Sequence, residues 1–277
     1  MGASAPSPAK TKIGLIAGNG AFPLLFAREA RRRGETVIAV ALKEEADARI
    51  ESVVDGVAWL SLGQLGRTIS YFKEQGVGRA VMAGQVKHTQ LFRDIVPDLR
   101  VVKLLARVAN KKAASLLSAV IQEFEEEGIQ FLSSAMYLEN WLCPEGLLTS
   151  MKLNSAEAGD IEFALPLARL LAAQDVGQTL AAKDKTVVAV EAMEGTDACI
   201  RRAGTVAGPG CVVLKVARPK QDLRFDIPVV GPGTLAALRD AKARVLAMEA
   251  GKTLLLDKDE LIREANASEI TLTGLRI

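Results

Sequence analysis

Histidine is almost absent: His88 is the only one in 277 residues. That excludes a multi-histidine metal centre and argues against a serine or cysteine triad, since each needs an imidazole. Any metal must therefore be held by carboxylates, which selects a hard ion such as magnesium or manganese. His88 itself is expected as a solvated loop residue. Cysteine is scarce too. Cys143, Cys199 and Cys211 are odd in number, far apart and free of CxxC spacing. They fit reduced thiols of a cytoplasm and exclude a disulfide framework or a zinc cluster. An excess of one charge is also lacking, because a formal net charge of +2 is too small for a general nucleic-acid binder. Long apolar runs are missing as well: none approaches the ~20 residues of a spanning helix. The opening MGASAPSPAK has no signal-peptide core and reads as a disordered leader.

What is present is ordinary globular composition, 49% hydrophobic and 25% charged. A chain of this length buries roughly three quarters of its unfolded surface, enough for one large domain or two modest ones. TKIGLIA (Thr11–Ala17) is a continuous apolar strand, followed by the turn GNGAFP and a helix to Arg33. TVIAVAL, VVDGVAWL and GRAVMAG supply three more strands, with a helix from Gly63 to Gln75 and another over SLLSAVIQEFEEEG. Strands alternating with helices predict a parallel sheet covered on both faces. LENWLCPEGLLTS breaks the pattern and is the candidate linker. Beyond it a helix is expected from Ser155 to Gln174, kinked or broken at Pro166. KTVVAVEAM and CVVLKVAR are β-branched strands, and the remaining chain alternates helix and strand. The fold class is α/β: an N-terminal parallel-sheet domain over 11–138, a linker over 139–154 and a mixed α/β domain over 155–277.

Three stretches carry chemistry. GNGAFP puts Gly18, Asn19 and Gly20 in a tight turn before a helix, where backbone N–H groups can approach a phosphate. Pro23 stands where a third glycine would be, and the second strand ends in VALK with no acid for a ribose hydroxyl. Both departures disfavour a nicotinamide-dependent oxidoreductase. Gln85 and Lys87 follow the fourth strand, at the sheet end where parallel sheets bind ligands. AVEAMEGTDACIRRAG then sets Glu191, Glu194 and Asp197 three apart after a strand, with Arg201 and Arg202 behind them. Clustered carboxylates repel unless a cation or proton lies between them. Thr196 can cap a short helix there, whose positive end points at the same place. Such a cluster suits a metal bridged to phosphate oxygens, or else solvated acids paired with the two arginines. Third, RPKQDLRFDIP alternates, so an extended chain would set Lys220, Asp222, Arg224 and Asp226 on one face. DVGQT adds Gln178 and Thr179 on a polar turn leading toward the acidic cluster.

GLIAGNGAFP, DVGQT, AVEAMEGTDACIRRAG and KVARPKQDLRFDIPVVG together look like the UDP-2,3-diacylglucosamine diphosphatase family of lipid A biosynthesis, of the LpxI type. The match runs in order from Ile13 to the C-terminus, and the last two motifs are long and unusual. The resemblance implies a Rossmann-like N-terminal domain, a C-terminal α/β domain particular to the family, and an active site between them. It implies magnesium-dependent hydrolysis to 2,3-diacylglucosamine 1-phosphate and UMP, with water attacking the sugar-side phosphorus. Asp226 matches the aspartate regarded as catalytic in the family, and Glu194–Asp197 its acidic motif. Where the family has acidic residues before a Leu-Leu pair, this chain has Ala113 and Ala114.

The expected catalytic and metal set is therefore Asp226, Glu194 and Asp197, with magnesium or manganese. The expected substrate contacts are Gly18, Asn19, Gly20, Gln85, Lys87, Gln178, Thr179, Glu191, Thr196, Arg201, Lys215, Lys220 and Arg224. A homodimer in the cytoplasm is expected, touching the inner face of the inner membrane transiently because the substrate is amphipathic. A non-catalytic nucleotide-lipid binding protein is the alternative, which carboxylate clusters disfavour because a diphosphate calls for cations.

Overall fold

A computed structural model describes residues 11–43, 45–86, 97–107, 113–219 and 221–277. The leader, Lys87, His88 and Lys220 lie outside the described residues. The chain divides into two compact units, one running to Tyr137 and including Leu223–Phe225, the other comprising Leu138–Asp222 and Asp226–Ile277.

The first unit runs β1 (Lys12–Ala17), α1 (Phe22–Arg32), β2 (Thr36–Leu42), β3 (Gly56–Leu60), α2 (Leu65–Glu74), β4 (Arg79–Ala83), α3 (Leu99–Arg107), α4 (Ala113–Glu126) and β5 (Gln130–Phe131). Its five strands are all parallel, in the order β3-β2-β1-β4-β5. β1 and β2 are apolar almost throughout because helices cover both faces, as a buried parallel sheet requires. On one face Phe72, Phe124 and Phe131 form an aromatic core, with Phe124 edge-on to Phe131 at 5.0 Å between ring centres. The third helix, α3, was not anticipated.

The second unit continues with β6 (Gly146–Leu147), α5 (Ser155–Ala173), β7 (Thr179–Lys183), β8 (Thr186–Val190), α6 (Thr196–Ala207), β9 (Val212–Lys215) and β10 (Val229–Val230). It closes with α7 (Pro232–Asp240), β11 (Val245–Glu249), β12 (Leu254–Leu255), α8 (Lys258–Ala267) and β13 (Thr271–Leu275). Its main sheet is mixed, in the order β6-β13-β11-β9-β7-β8, with β9, β11 and β13 parallel and β7 antiparallel to both neighbours. Alternation along the strands divides two cores. Val213, Leu246 and Met248 face the helices α6, α7 and α8, while Val212, Leu214, Val245 and Ala247 face α5. Lys215 shares the parity of Val213 and so points to the α6 side.

Three expectations need correction. The stretch 139–154, read as a linker, is built into the second unit: Cys143 is buried in its core, Leu142 bridges to Leu254, and β6 pairs with β13. Pro166 does not break α5, which runs on as one helix. It starts from a capping box, with Asn154 accepting from the Glu157 N–H and Glu157 from the Asn154 N–H, each at 2.9 Å. Finally, the described residues of RPKQDLRFDIP form no strand. Leu223–Phe225 form a turn, closed by the Asp226 N–H donating to the Asp222 carbonyl at 3.0 Å. The Leu223 carbonyl accepts from both the N–H and the hydroxyl of Ser134, and Phe225 packs on the first unit's core. Alternation needs a partner strand to be realised, and Pro219 and Pro228 remove donors on either side.

Candidate active site

At the carboxyl end of the second sheet, Lys215 ends β9 with only 6% of its surface exposed. Its Nζ donates to the Thr196 hydroxyl at 2.6 Å. Thr196 in turn donates to Glu191 Oε1 at 3.0 Å, and the Thr179 hydroxyl lies 3.2 Å from the Thr196 hydroxyl oxygen. A hydroxyl has one proton, so Thr196, already donating to Glu191, must accept from Thr179. Glu191 Oε2 accepts from the Gln178 N–H at 3.2 Å. Four side chains from β7, the end of β8, α6 and β9 thus form one hydrogen-bonded chain beneath the strand ends.

Local sequence explains why they meet. The Glu191 N–H donates to the Thr179 carbonyl at 2.9 Å, and the loop before Thr179 runs so close that a Cβ on Gly177 would lie 2.0 Å from the Glu191 carbonyl oxygen. Gly195, at φ +83°, makes the turn from β8 into α6. Gly195, and not Thr196, is the N-cap; Thr196 is the first helical residue and its hydroxyl serves the network. α6 and α7 lie side by side. A Cβ on Gly204 would sit 2.5 Å from Ala241 Cα, and at the other end Thr234 donates to Asp197 Oδ1 at 3.0 Å. Both helices therefore begin at the same place, and Asp197 sits in the first turn of one against the first turn of the other. Two positive helix ends meet there.

Asp226 is gripped by Arg218, which also reaches Asp175 Oδ1 at 2.9 Å. The Arg218 N–H donates to Gln221 Oε1 at 2.8 Å, and Gln221 reaches Gln178 at 3.5 Å. Lys215 is the common centre. Burial pushes its pKa below the usual lysine range, opposed by the negative charges of Glu191, Asp197 and Asp226. Its ammonium lies where the sequence suggests a cation among clustered acids.

The remaining expected residues go elsewhere. Glu194 turns to Arg202, whose guanidinium holds its carboxyl below the ordinary range. Arg201, one helical turn beyond Asp197, pairs with Asp240 at 2.9 Å. Arg224 pairs with Glu125 at 3.0 Å within the first unit. Among the described residues no group of three His, Cys, Asp or Glu side chains could hold a metal ion. The expected set of Asp226, Glu194 and Asp197 is therefore not assembled, because Arg202 draws Glu194 away. Arg218 and Thr234 were missed. Arg218 sits in an unremarkable ARP, and Thr234 in the GPGT that opens α7 was the readable signal.

The glycine turn of the first unit behaves differently from expectation. The Gly18 N–H donates to the Ala83 carbonyl at 2.9 Å, and Asn19 exchanges two backbone hydrogen bonds with Gln85 at 2.8 and 3.1 Å. A Cβ on Gly18 would lie 2.8 Å from the Gln85 carbonyl oxygen. The close backbone approach that demands glycine is to another strand end, so the Gly18 and Asn19 donors are already satisfied. Gly20, at φ +94°, has no heavy atom within 4 Å of a Cβ position.

The model of the LpxI N-terminal domain matches residues 12–141, and that of the LpxI C-terminal domain matches 144–273. The chain belongs to the LpxI family. One curated LpxI relative, the UDP-2,3-diacylglucosamine pyrophosphatase of Caulobacter vibrioides, is 29% identical over 275 residues, covering 95% of this chain and 97% of its own. Among solved structures, the biotin carboxylase domain of the Hydrogenobacter thermophilus 2-oxoglutarate carboxylase is 12% identical at a TM-score of 0.29, over 72% of this chain and 41% of that one. N5-carboxyaminoimidazole ribonucleotide synthetase from Thermotoga maritima is 16% identical at 0.24, over 65% of this chain and 41% of its own. This LpxI chain thus spans less than half of those two proteins.

Proposed function

We propose that this protein hydrolyses the pyrophosphate bond of UDP-2,3-diacylglucosamine, releasing 2,3-diacylglucosamine 1-phosphate and UMP in lipid A biosynthesis. Membership of the LpxI family along nearly the whole chain supports the substrate. The observation that carries the chemistry is the buried Lys215, hydrogen-bonded to Thr196 and ringed by Glu191, Asp197 and Asp226 at two helix N-termini.

In the proposed reaction, water adds to the sugar-side phosphorus while the bridging oxygen leaves with UMP. Asp226 orients the water and takes its proton. Arg218 fixes the rotation of that carboxylate. Lys215 and the first turns of α6 and α7 offset the charge that builds on the phosphate oxygens, which is where fixed donors lower a barrier most. Glu191, Thr196 and Thr179 hold the ammonium in place and act as positioning residues.

The side chains do not fit a three-carboxylate cage for magnesium or manganese. They fit an ion that arrives on the diphosphate, since magnesium keeps several waters and takes one or two carboxylates beside substrate phosphates. Asp226 and Asp197 would supply these, and Glu194 would not. Bound there, the ion would add positive charge at the scissile bridge. The first unit, Rossmann-like in its strand order, is proposed to receive the UDP portion at Gly20 and the first turn of α1. A homodimer, and transient contact with the inner membrane face from the cytoplasm, complete the proposal. No helix of the described residues is long and apolar enough to cross a membrane. The test is incubation with UDP-diacylglucosamine and magnesium, with chromatography for UMP; UMP that EDTA suppresses is expected, and its absence overturns the reading.

A further inference from the structure

The helix α3, LRVVKLLAR, is packed by one face only. Leu104 is buried, and Val101 rests on the aromatic core of the first unit. Leu99, Val102 and Leu105 point outward, 70%, 49% and 45% exposed. At 3.6 residues per turn these three fall within about 120° of arc, on the flank beside the buried pair. Large apolar side chains exposed singly are ordinary, whereas three in a row on one helix face mark a contact surface.

The charges beside this row narrow the partner. α3 contains Arg100, Lys103 and Arg107 and no carboxylate. Arg100 pairs with Glu123 and Glu127, Arg107 reaches Glu123 at 3.5 Å, and Lys73 meets Glu127 at 2.7 Å. Three cations therefore meet these two carboxylates, Asp98 adds a third negative charge beside Arg100, and Lys103 adds a fourth positive one, which leaves a small positive excess. The helix is also held firmly for presentation. Asp98 accepts from the Val101 N–H at 3.0 Å and from the Gly66 N–H at 2.6 Å, fixing the start of α3 to the start of α2.

An apolar row flanked by net positive charge is the pattern of a helix that lies in the surface of an anionic bilayer. We infer that α3 is the face by which this protein docks on anionic lipid, with Leu99, Val102 and Leu105 entering the acyl boundary and Lys103 meeting the headgroups. The reason for docking rests on the proposed lipid-linked substrate; the docking itself does not require turnover.

The full chain is floated with vesicles of phosphatidylcholine containing phosphatidylglycerol, and with phosphatidylcholine alone. Wild type should bind the anionic vesicles and lose them as salt rises. The double variant Leu99→Asp/Leu105→Asp should lose at least about tenfold in partitioning, and Lys103→Glu about fivefold. All three positions are exposed, so circular dichroism should be unchanged. Wild type that ignores anionic vesicles, or a double variant that binds like wild type, overturns the inference. So does a double variant that merely turns a dimer into a monomer in gel filtration, which would give this face to a second copy. Failure of the proposed function shows separately, as vesicle binding without UMP release. If both hold, the double variant releases UMP normally from detergent-dispersed substrate and slowly from vesicle-embedded substrate.

Discussion

The carboxyl ends of the two sheets look alike in sequence and differ in physics. Each has a glycine-bearing turn between a strand and a helix, GNG before α1 and EG before α6. In the first sheet that end is closed by backbone: Gly18 and Asn19 donate to the strand end formed by Ala83 and Gln85. In the second the corresponding space holds side chains, a buried ammonium among three carboxylates with two helix N-termini facing it. A turn satisfied by its own chain has little left with which to do chemistry. Charges held in a dry place cost stability and persist where function needs them. The proposed function accordingly places the reaction at the second sheet end.

The largest effect should come from Lys215→Met. Removing the ammonium takes away the buried positive charge that Glu191, Asp197 and Asp226 all act on, and UMP release should fall about 100-fold to 1,000-fold, the range seen when a single fixed charge-stabilising donor is lost. Turnover within a few-fold of wild type would break the contrast between the two ends. Next comes Gly18→Ala, whose Cβ would meet the Gln85 carbonyl oxygen at 2.8 Å. Overpacking of this kind costs about 1–3 kcal/mol, so the melting temperature should drop while kcat stays near wild type. An unchanged melting temperature with a raised KM would mean that the glycine serves phosphate after all.

Smaller again is Glu194→Gln. Its carboxylate is turned to Arg202 at the surface, so activity should change by no more than about fivefold, as for other exposed ion pairs. A loss as deep as that of Lys215→Met would restore Glu194 to the metal set. The mildest concerns Glu35, far from either site. Burial raises its pKa, but hydrogen bonds from Tyr137 and Thr11 and the charge of Arg79 overcome this and hold it below the ordinary carboxylate value. A depressed native pKa gives stability that is present at neutral pH and lost as pH falls through the native value. The melting-temperature gap between wild type and Glu35→Gln should therefore be widest at pH 7 and close toward pH 3.

Much of the fold was legible because buried parallel strands announce themselves. TKIGLIA and TVIAVAL could only be covered on both faces, and they are. The site was legible in part. Glu191, Thr196, Lys215, Gln178 and Thr179 do converge, because strand ends and a helix start bring them to one sheet edge. What failed was anything decided by a distant partner. The alternation in RPKQDLRFDIP promised a charged strand face, but Ser134 binds Leu223 and a turn results. Glu194 looked like a ligand until Arg202, eight residues on, claimed it. Arg218 carries no local signal of the carboxylate it holds, whereas Thr234 could have been read from the GPGT that opens α7. Nor did α3 stand out, since its outward leucines and valine blur the periodicity that would have marked a buried face.

The most direct trial is UMP release from UDP-diacylglucosamine by Asp226→Ala beside wild type, with circular dichroism on both. The account expects wild type to turn over and the variant to be folded and silent. A folded variant that still liberates UMP at near-normal rate would contradict it.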